Sequence, residues 1–301
     1  MIAMISFKQL TYALAAAETL HFKKAAEKCN ISQSALSTAL TQLEELLGLQ
    51  IFERDNKKVL VTPIGREVLS RAQGIVLEVN ALSSLSESLK EPLSFPLSIG
   101  VIPTIAPYLL PKMFPLLHQQ YPDAELKIVE EQSHVLVEKV KKGELDTAIL
   151  ALPYPHDGLL SLEFWQEDFY WVTLKDDKNS GLKEVTSDEL TQSNLMLLKE
   201  GHCLKDHILD ACKLSEDAAR HGFGATSLNT LIQMVMGRLG TTLIPEMAMG
   251  QLITQNKALT AVHLNEPGPH RRIAFLIRPN FTRLQSVDAL KKLCGDALVG
   301  S

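Results

Sequence analysis

The spacing of apolar residues changes character three times along the chain. Phe7, Leu10, Leu14 and Ala17 recur at helical intervals behind Ser6, which can cap a first turn. Phe22 to Cys29 predicts a short second helix closing at Asn30, and Ser32 then caps a third, Ser32 to Leu47, stopped by Gly48. Leu49 to Arg54 and Val59 to Pro63 read as two short strands around the polar turn Asp55-Asn56-Lys57-Lys58. From Ile64 to Leu89, the residues Val68, Ala72, Ile75 or Val76, Val79, Leu82 and Leu89 recur three, four or seven apart, a seam that a second copy of the chain would bury. After Pro96 strands and helices alternate: strand Leu97 to Ile102, helix Ile105 to Gln120, strand Glu125 to Glu130, helix Val135 to Lys142, strand Leu145 to Leu152. This order predicts a mostly parallel sheet with helices on both faces. A second unit, starting near Phe164, takes in Phe169 to Leu174, Leu195 to Leu198, Ser227 to Gly237 and Thr241 to Ile244. Arg272 to Ile277 predicts one more strand and Phe281 to Leu298 a final helix.

Helix, tight turn, helix followed by a two-stranded wing is the grammar of a DNA-binding domain. The third helix turns Ile31, Leu36, Leu40 and Leu43 inward and offers Gln33, Ser34, Ser37, Thr38, Thr41 and Gln42 outward. Short hydroxyls and amides reach base edges and phosphates in a major groove. Arg54, Lys57 and Lys58 on the wing would meet phosphates. A solvated polar face is the plainer account of the same stripe. Charge adds little, since residues 1–65 carry seven Lys and Arg against six Asp and Glu.

With 46% hydrophobic and 22% charged residues, the 301-residue chain has the composition of an ordinary globular protein. Its net charge of −5 excludes a whole-molecule attraction to nucleic acid or anionic membrane, so any such contact must be local. No apolar run reaches membrane-spanning length, and the first residues lack the basic region and apolar core of a signal peptide. Four cysteines do not make a secreted disulfide framework, which points to the reducing cytoplasm.

The candidate chemistry lies in Gly201-His202-Cys203-Leu204-Lys205-Asp206-His207, with Cys212 nine residues beyond Cys203. A helix pattern begins just after Gly201, so Cys203 is predicted at a helix N-terminus. There the dipole, Lys205 and His202 would lower the thiol pKa. Nine helical residues advance about 13.5 Å, whereas a disulfide needs Cα atoms within about 7 Å. A Cys203–Cys212 bond would therefore require unwinding, which makes the pair a switch. Two other accounts stand beside it: small buried hydrophobes, or a metal site drawing on Cys203, His207, His202 and Cys212.

Residues 5–65 resemble the winged helix-turn-helix of LysR-type transcriptional regulators. The phrases that carry the resemblance are Phe22-Lys23-Lys24-Ala25-Ala26-Glu27, Ile31-Ser32-Gln33-Ser34-Ala35-Leu36-Ser37, Leu43 to Gly48, Leu49 to Arg54 and Thr62-Pro63-Ile64-Gly65. Ile99 to Pro111, Gly201 to Asp206 with Cys212, and Ala225-Thr226-Ser227-Leu228 narrow it to the hydrogen-peroxide-sensing, OxyR-type branch. The fold implied is an all-α winged helix-turn-helix (1–65), a linker helix (66–92) and an α/β regulatory domain (93–301). That domain would comprise two Rossmann-like subdomains, like a periplasmic binding protein, over 93–165 with 268–301 and over 166–267. The resemblance further implies that Cys203 is peroxidatic and Cys212 resolving. Thr104, Ser133, His202, Lys205, Asp206 and Arg278 would form the peroxide pocket. The implied partners are promoter DNA, a second copy through the linker helix within a homotetramer, RNA polymerase, hydrogen peroxide and a glutaredoxin- or thioredoxin-type dithiol reductant. No cofactor, metal or membrane is called for, and the protein would not be an enzyme. The alternative is a LysR-type regulator that binds a small molecule between its subdomains.

Overall fold

The computed structural model describes residues 4–55, 58–84, 91–191, 193–214 and 225–299. The chain divides into two compact units, Met1–Ser86 and Glu87–Ser301.

In the first unit, α1 (Phe7–Thr19), α2 (Phe22–Lys28) and α3 (Gln33–Leu47) precede strands β1 (Phe52–Asp55) and β2 (Lys58–Val61) and helix α4 (Pro63–Ser84). Ser6 closes a capping box with Gln9, Ser32 accepts from the Ala35 N–H, and Gly48 ends α3 in the left-handed region. Leu10, Ala13, Ala16, Ala25, Ala26, Leu36, Leu40, Leu43 and Phe52 build the core. Two polar ties fix the wing to the helices. Glu44 Oε1 accepts the Ile51 and Phe52 N–H groups at 2.8 and 2.9 Å, and Thr62 Oγ1 donates to Gln50 O at 2.7 Å. Gly65 is required by space, because a Cβ there would stand 2.3 Å from Ile51 O. On α4, Val68, Ala72 and Val76 pack onto this unit's own core, so part of the predicted seam is consumed internally, while Ile75 and Leu82 stay exposed. Lys57 and residues 85–90 of the predicted linker helix lie outside the described residues, as do the side chains of Arg54 and Lys58.

The second unit has two lobes. Strand β3 (Leu97–Val101), helix α5 (Ala106–Gln120), strand β4 (Leu126–Glu130), helix α6 (Ser133–Lys141) and strand β5 (Thr147–Leu152) open the first. Strand β6 (Leu160–Glu167) leads to the second lobe. That lobe comprises β7 (Phe169–Leu174), β8 (Glu184–Val185), α7 (Ser187–Thr191), α8 (Cys203–Ala211), α9 (Leu228–Met236), β9 (Thr242–Pro245), a 3₁₀ turn (Glu246–Ala248), α10 (Met249–Leu252) and β10 (Leu259–Leu264). The chain returns as β11 (Arg271–Ile277) and ends in α11 (Leu284–Val299).

The first sheet runs β4-β3-β5-β11-β6, and the second β8-β10-β7-β9. Only β3, β4 and β5 form the expected parallel core; β11 lies antiparallel to both β5 and β6. The second sheet is mainly antiparallel, with β7 between β10 and β9. The expectation of mostly parallel sheets is thus corrected. The chain leaves the first lobe along β6 and comes back along β11, and the two strands of that round trip pair head to tail. Asp168 alone separates β6 from β7, and residues 265–270 separate β10 from β11. A tryptophan lies three residues to either side of Asp168: Trp165 on β6 is half-buried, and Trp171 on β7 is fully buried with its Nε1 lacking a partner. Among the described residues no helix is long and apolar enough to cross a membrane.

Candidate functional site

The approach to α8 begins at Gly201, whose φ of +91° suits glycine and where a Cβ would stand 2.6 Å from Gln132 Oε1. His202 is the extended N-cap residue, and Cys203, Leu204, His207 and Ile208 form the buried face of the helix. α8 belongs to the second lobe, but the groups around the Cys203 sulfur come from the first: Ser133 at the start of α6, the Ala151 backbone in β5, and Arg271 at the start of β11. The thiol thus sits where the lobes meet, and only 3% of Cys203 is exposed.

Burial dominates its electrostatics. It pushes the Cys203 thiol up, against the downward pull of the Ser133 hydroxyl, the Arg271 guanidinium and the Ala151 backbone, while Asp206 adds to the rise. The lowered pKa expected from the helix N-terminus is therefore overturned for this state, because removing a thiolate from water outweighs the nearby positive charge. The His202 imidazole is likewise pushed down by burial and brings no cation to the sulfur. Lys205 Nζ lies 4.0 Å from Glu200 Oε1.

Arg271 is the side chain beside the thiol that the sequence did not disclose. Its side chain is fully buried, its Nε donates to Glu167 Oε1 at 2.6 Å, and its Nη1 and Nη2 donate to Thr104 Oγ1 and Thr104 O, each at 3.3 Å. A charged residue opening a continuous apolar strand, Arg271 before Ile273 to Ile277, was the available signal. Arg278, expected in the pocket, closes the other end of the same strand, where its Nη1 donates to Val140 O and Leu145 O at 2.7 Å each. Seven strand residues amount to roughly 23 Å, so the two arginines serve opposite ends of the sheet.

The structure brings Cys203, Ser133, Thr104 and His202 into one buried region. Ser133 Oγ is buried, faces the Cys203 thiol and lowers its pKa, and it has no other partner. Asp206 is on the same helix but exposed, and acts on the sulfur through charge. Cys212 is the C-cap residue of α8 and is also buried. Burial pushes its thiol up to about 11; Glu266 adds to the rise, and Ser187 pulls down. Both thiols are free, and the intervening helix holds their Cα atoms about 13–14 Å apart. Among the described residues no group of three or more His, Cys, Asp or Glu side chains is arranged to hold a metal ion.

In the first unit α3 presents Gln33, Ser34 and Thr38 to solvent and leaves Ser37 half-buried. Ser34 Oγ lies 3.0 Å from Ser32 Oγ.

A winged helix-turn-helix in one unit and a two-lobed α/β fold in the other is the arrangement of a DNA-binding transcription regulator with a second, α/β domain. The signature "Bacterial regulatory helix-turn-helix protein, lysR family" matches residues 7–66, and "LysR substrate binding domain" matches residues 90–299. The chain belongs to the LysR family of DNA-binding transcriptional regulators, which are not enzymes. It is 39% identical over 97% of its length to the HTH-type transcriptional regulator EstR of Acinetobacter baylyi, covering 98% of that protein. It is 38% identical over 97% of its length to a probable hydrogen peroxide-inducible genes activator of Streptomyces viridosporus, covering 94% of it. Among solved structures, a cysteine-to-serine mutant of Corynebacterium glutamicum OxyR with hydrogen peroxide bound matches with a TM-score of 0.68 at 33% identity, over 99% of this chain and 94% of that one.

Proposed function

We propose that the protein senses hydrogen peroxide and controls transcription through a reversible Cys203–Cys212 disulfide. The observation that carries this is the buried Ser133 hydroxyl, which faces Cys203 and has no other partner, with Thr104 and the Arg271 guanidinium converging on the same region from the first lobe. A small molecule with two hydroxyl groups matches such donors and acceptors, and the similar Corynebacterium glutamicum protein is described as holding peroxide.

In the first step the Cys203 thiolate attacks one peroxide oxygen, the O–O bond breaks, and the departing hydroxide leaves as water after taking a proton. Cys203 becomes a sulfenic acid. Thr104, Ser133 and His202 shape the pocket, with Lys205 and Asp206 at its edge, and Arg271 stabilises the thiolate. In the second step the Cys212 sulfur attacks the Cys203 sulfur, releasing water and closing the disulfide. Because an intact α8 forbids that bond, its formation unwinds residues 203–212 and repacks the second lobe. A glutaredoxin- or thioredoxin-type dithiol returns two electrons and two protons.

The helix-turn-helix binds promoter DNA, a role that follows from the family. In this proposal Gln33, Ser34, Ser37 and Thr38 read the groove, and Arg54, Lys57 and Lys58 hold the backbone. The boundaries are 1–65, 66–92 and 93–301, and the linker helix pairs two copies within a homotetramer that recruits RNA polymerase in the cytoplasm.

The test is mass spectrometry after one equivalent of hydrogen peroxide. A loss of two hydrogens mapping to Cys203 and Cys212, with sulfenic acid trapped on Cys203 in Cys212→Ser, is expected; unchanged thiols would overturn the proposal. The second reading, a small-molecule effector between the lobes, is favoured by the match of residues 90–299 to the LysR substrate binding domain. It predicts a response that survives Cys203→Ser.

A further inference from the structure

His207 lies one helical turn beyond Cys203 on the same buried face of α8. Its Nε2 is 2.8 Å from Pro153 O, and a carbonyl can only accept, so Nε2 carries the ring proton. Nδ1 is then a bare acceptor, buried and without a partner. The docking has a simple register. The Ala151 backbone in β5 is among the groups that pull on the Cys203 thiol, and His207 is bonded to Pro153, just past the end of that strand. Two strand residues advance about 6.6 Å and one helical turn about 5.4 Å, so α8 runs along this segment with two successive pins. The sulfur is one pin and the imidazole the other. They join the second lobe to the first.

The first pin is consumed by the oxidant. The second is untouched by it. Taking the peroxide switch as its basis, we infer that His207 is a positioning residue for the second chemical step. Its hydrogen bond to Pro153 keeps α8 wound after Cys203 has become a sulfenic acid, and so sets how fast Cys212 can reach that sulfur. Disulfide closure must break this bond and expose both of its ends, whereas attack on peroxide leaves it intact. The latch therefore separates capture of the oxidant from commitment to the new fold.

The experiment uses the full-length protein and two substitutions, His207→Phe, which fills the space without a donor, and His207→Gln, which keeps one. Sulfenic acid formation is timed by dimedone trapping in a Cys212→Ser background, and disulfide formation by rapid quench and mass spectrometry. Losing a hydrogen bond to a buried carbonyl is expected to speed the disulfide step about 5- to 50-fold in His207→Phe. His207→Gln should stay within about 3-fold of the parent, and sulfenic acid formation within about 3-fold in both. A disulfide step in His207→Phe that is unchanged or slower, or equally fast in His207→Gln, would overturn the latch while leaving the sensor standing. Absence of any Cys203 sulfenic acid in the Cys212→Ser parent would overturn the sensor itself and the latch with it.

Discussion

Arg271 Nε donates to Glu167 Oε1 at 2.6 Å with both side chains at 0% exposure, and the second carboxylate oxygen of Glu167 accepts the Met247 N–H at 2.8 Å. The cation that pulls the Cys203 thiol down is therefore oriented by a carboxylate at the very point where the chain crosses between lobes. Removing one member of a buried pair leaves the other charge uncompensated. Glu167→Gln should destabilise the regulatory unit by about 3–5 kcal/mol, read as a lower urea midpoint at unchanged slope. A change below about 1 kcal/mol would mean that the pair is not sealed from water.

The Cys203 thiol is held above its ordinary range chiefly by burial, with Ser133 and Arg271 opposing and Asp206 adding to the rise. Alkylation of Cys203 against pH should accordingly show a midpoint above the usual thiol value. Ser133→Ala should move that midpoint further up and Asp206→Asn should move it down. Peptide mass spectrometry after iodoacetamide resolves Cys203 from the other thiols; identical profiles in all three proteins would refute the assignment.

Burial, reinforced by Arg271 on β11, pushes His207 down to about 4, against the Pro153 carbonyl and Asp210, which raise it. An unwound segment returns the ring to about 6.5. The wound form has the lower pKa, so its advantage is complete above about 6.5 and falls away as pH drops towards 4. Between pH 7.5 and 5.5 the unwound, oxidised form should gain about tenfold from this ring. The redox midpoint of the Cys203–Cys212 pair, titrated in parent and His207→Phe proteins, isolates that contribution from the thiol protons. Parallel pH slopes in the two proteins would count against it.

Gly201 faces two separate obstacles to substitution, its φ of +91° and the nearby Gln132 side chain. Gly201→Ala should cost more than about 1 kcal/mol in thermal unfolding. Adding Gln132→Ala should restore only part of the loss, since it removes the clash and leaves the backbone strain. Full restoration would show that φ is immaterial.

The helix-turn-helix was legible because its boundaries are written in local chemistry: Ser6, Ser32 and Gly48 cap helices through bonds to atoms at most four residues away. The β3-α5-β4-α6-β5 succession was legible for the same reason, with continuous buried strands at Leu97–Val101 and Thr147–Leu152. Three strands escaped in whole or part, among them β8, whose two residues are too short to show any period. β6 mixes exposed and half-buried positions up to the buried Glu167, and β10 buries Leu259, Val262 and Leu264 without strict alternation, so neither offers a period of two. At the site, Cys203 and Cys212 stood out in a short segment. Arg271 did not, because its partners Glu167 and Thr104 lie 104 and 167 residues away and no local pattern joins them. Arg278 follows the other end of the same strand, and only the fold says which of its ends meets the thiol.

Trp165 and Trp171, three residues to either side of Asp168, are the two tryptophans of the chain, one in each lobe. Their surroundings differ: one indole is partly exposed to water, while the other is enclosed with an unbonded N–H. The protein therefore contains a pair of built-in chromophores with separate emission colours, a red-shifted one for the first lobe and a blue-shifted one for the second. A rearrangement confined to the second lobe would recolour one and leave the other as an internal reference, so the state of the molecule can be followed by its own light, without a dye.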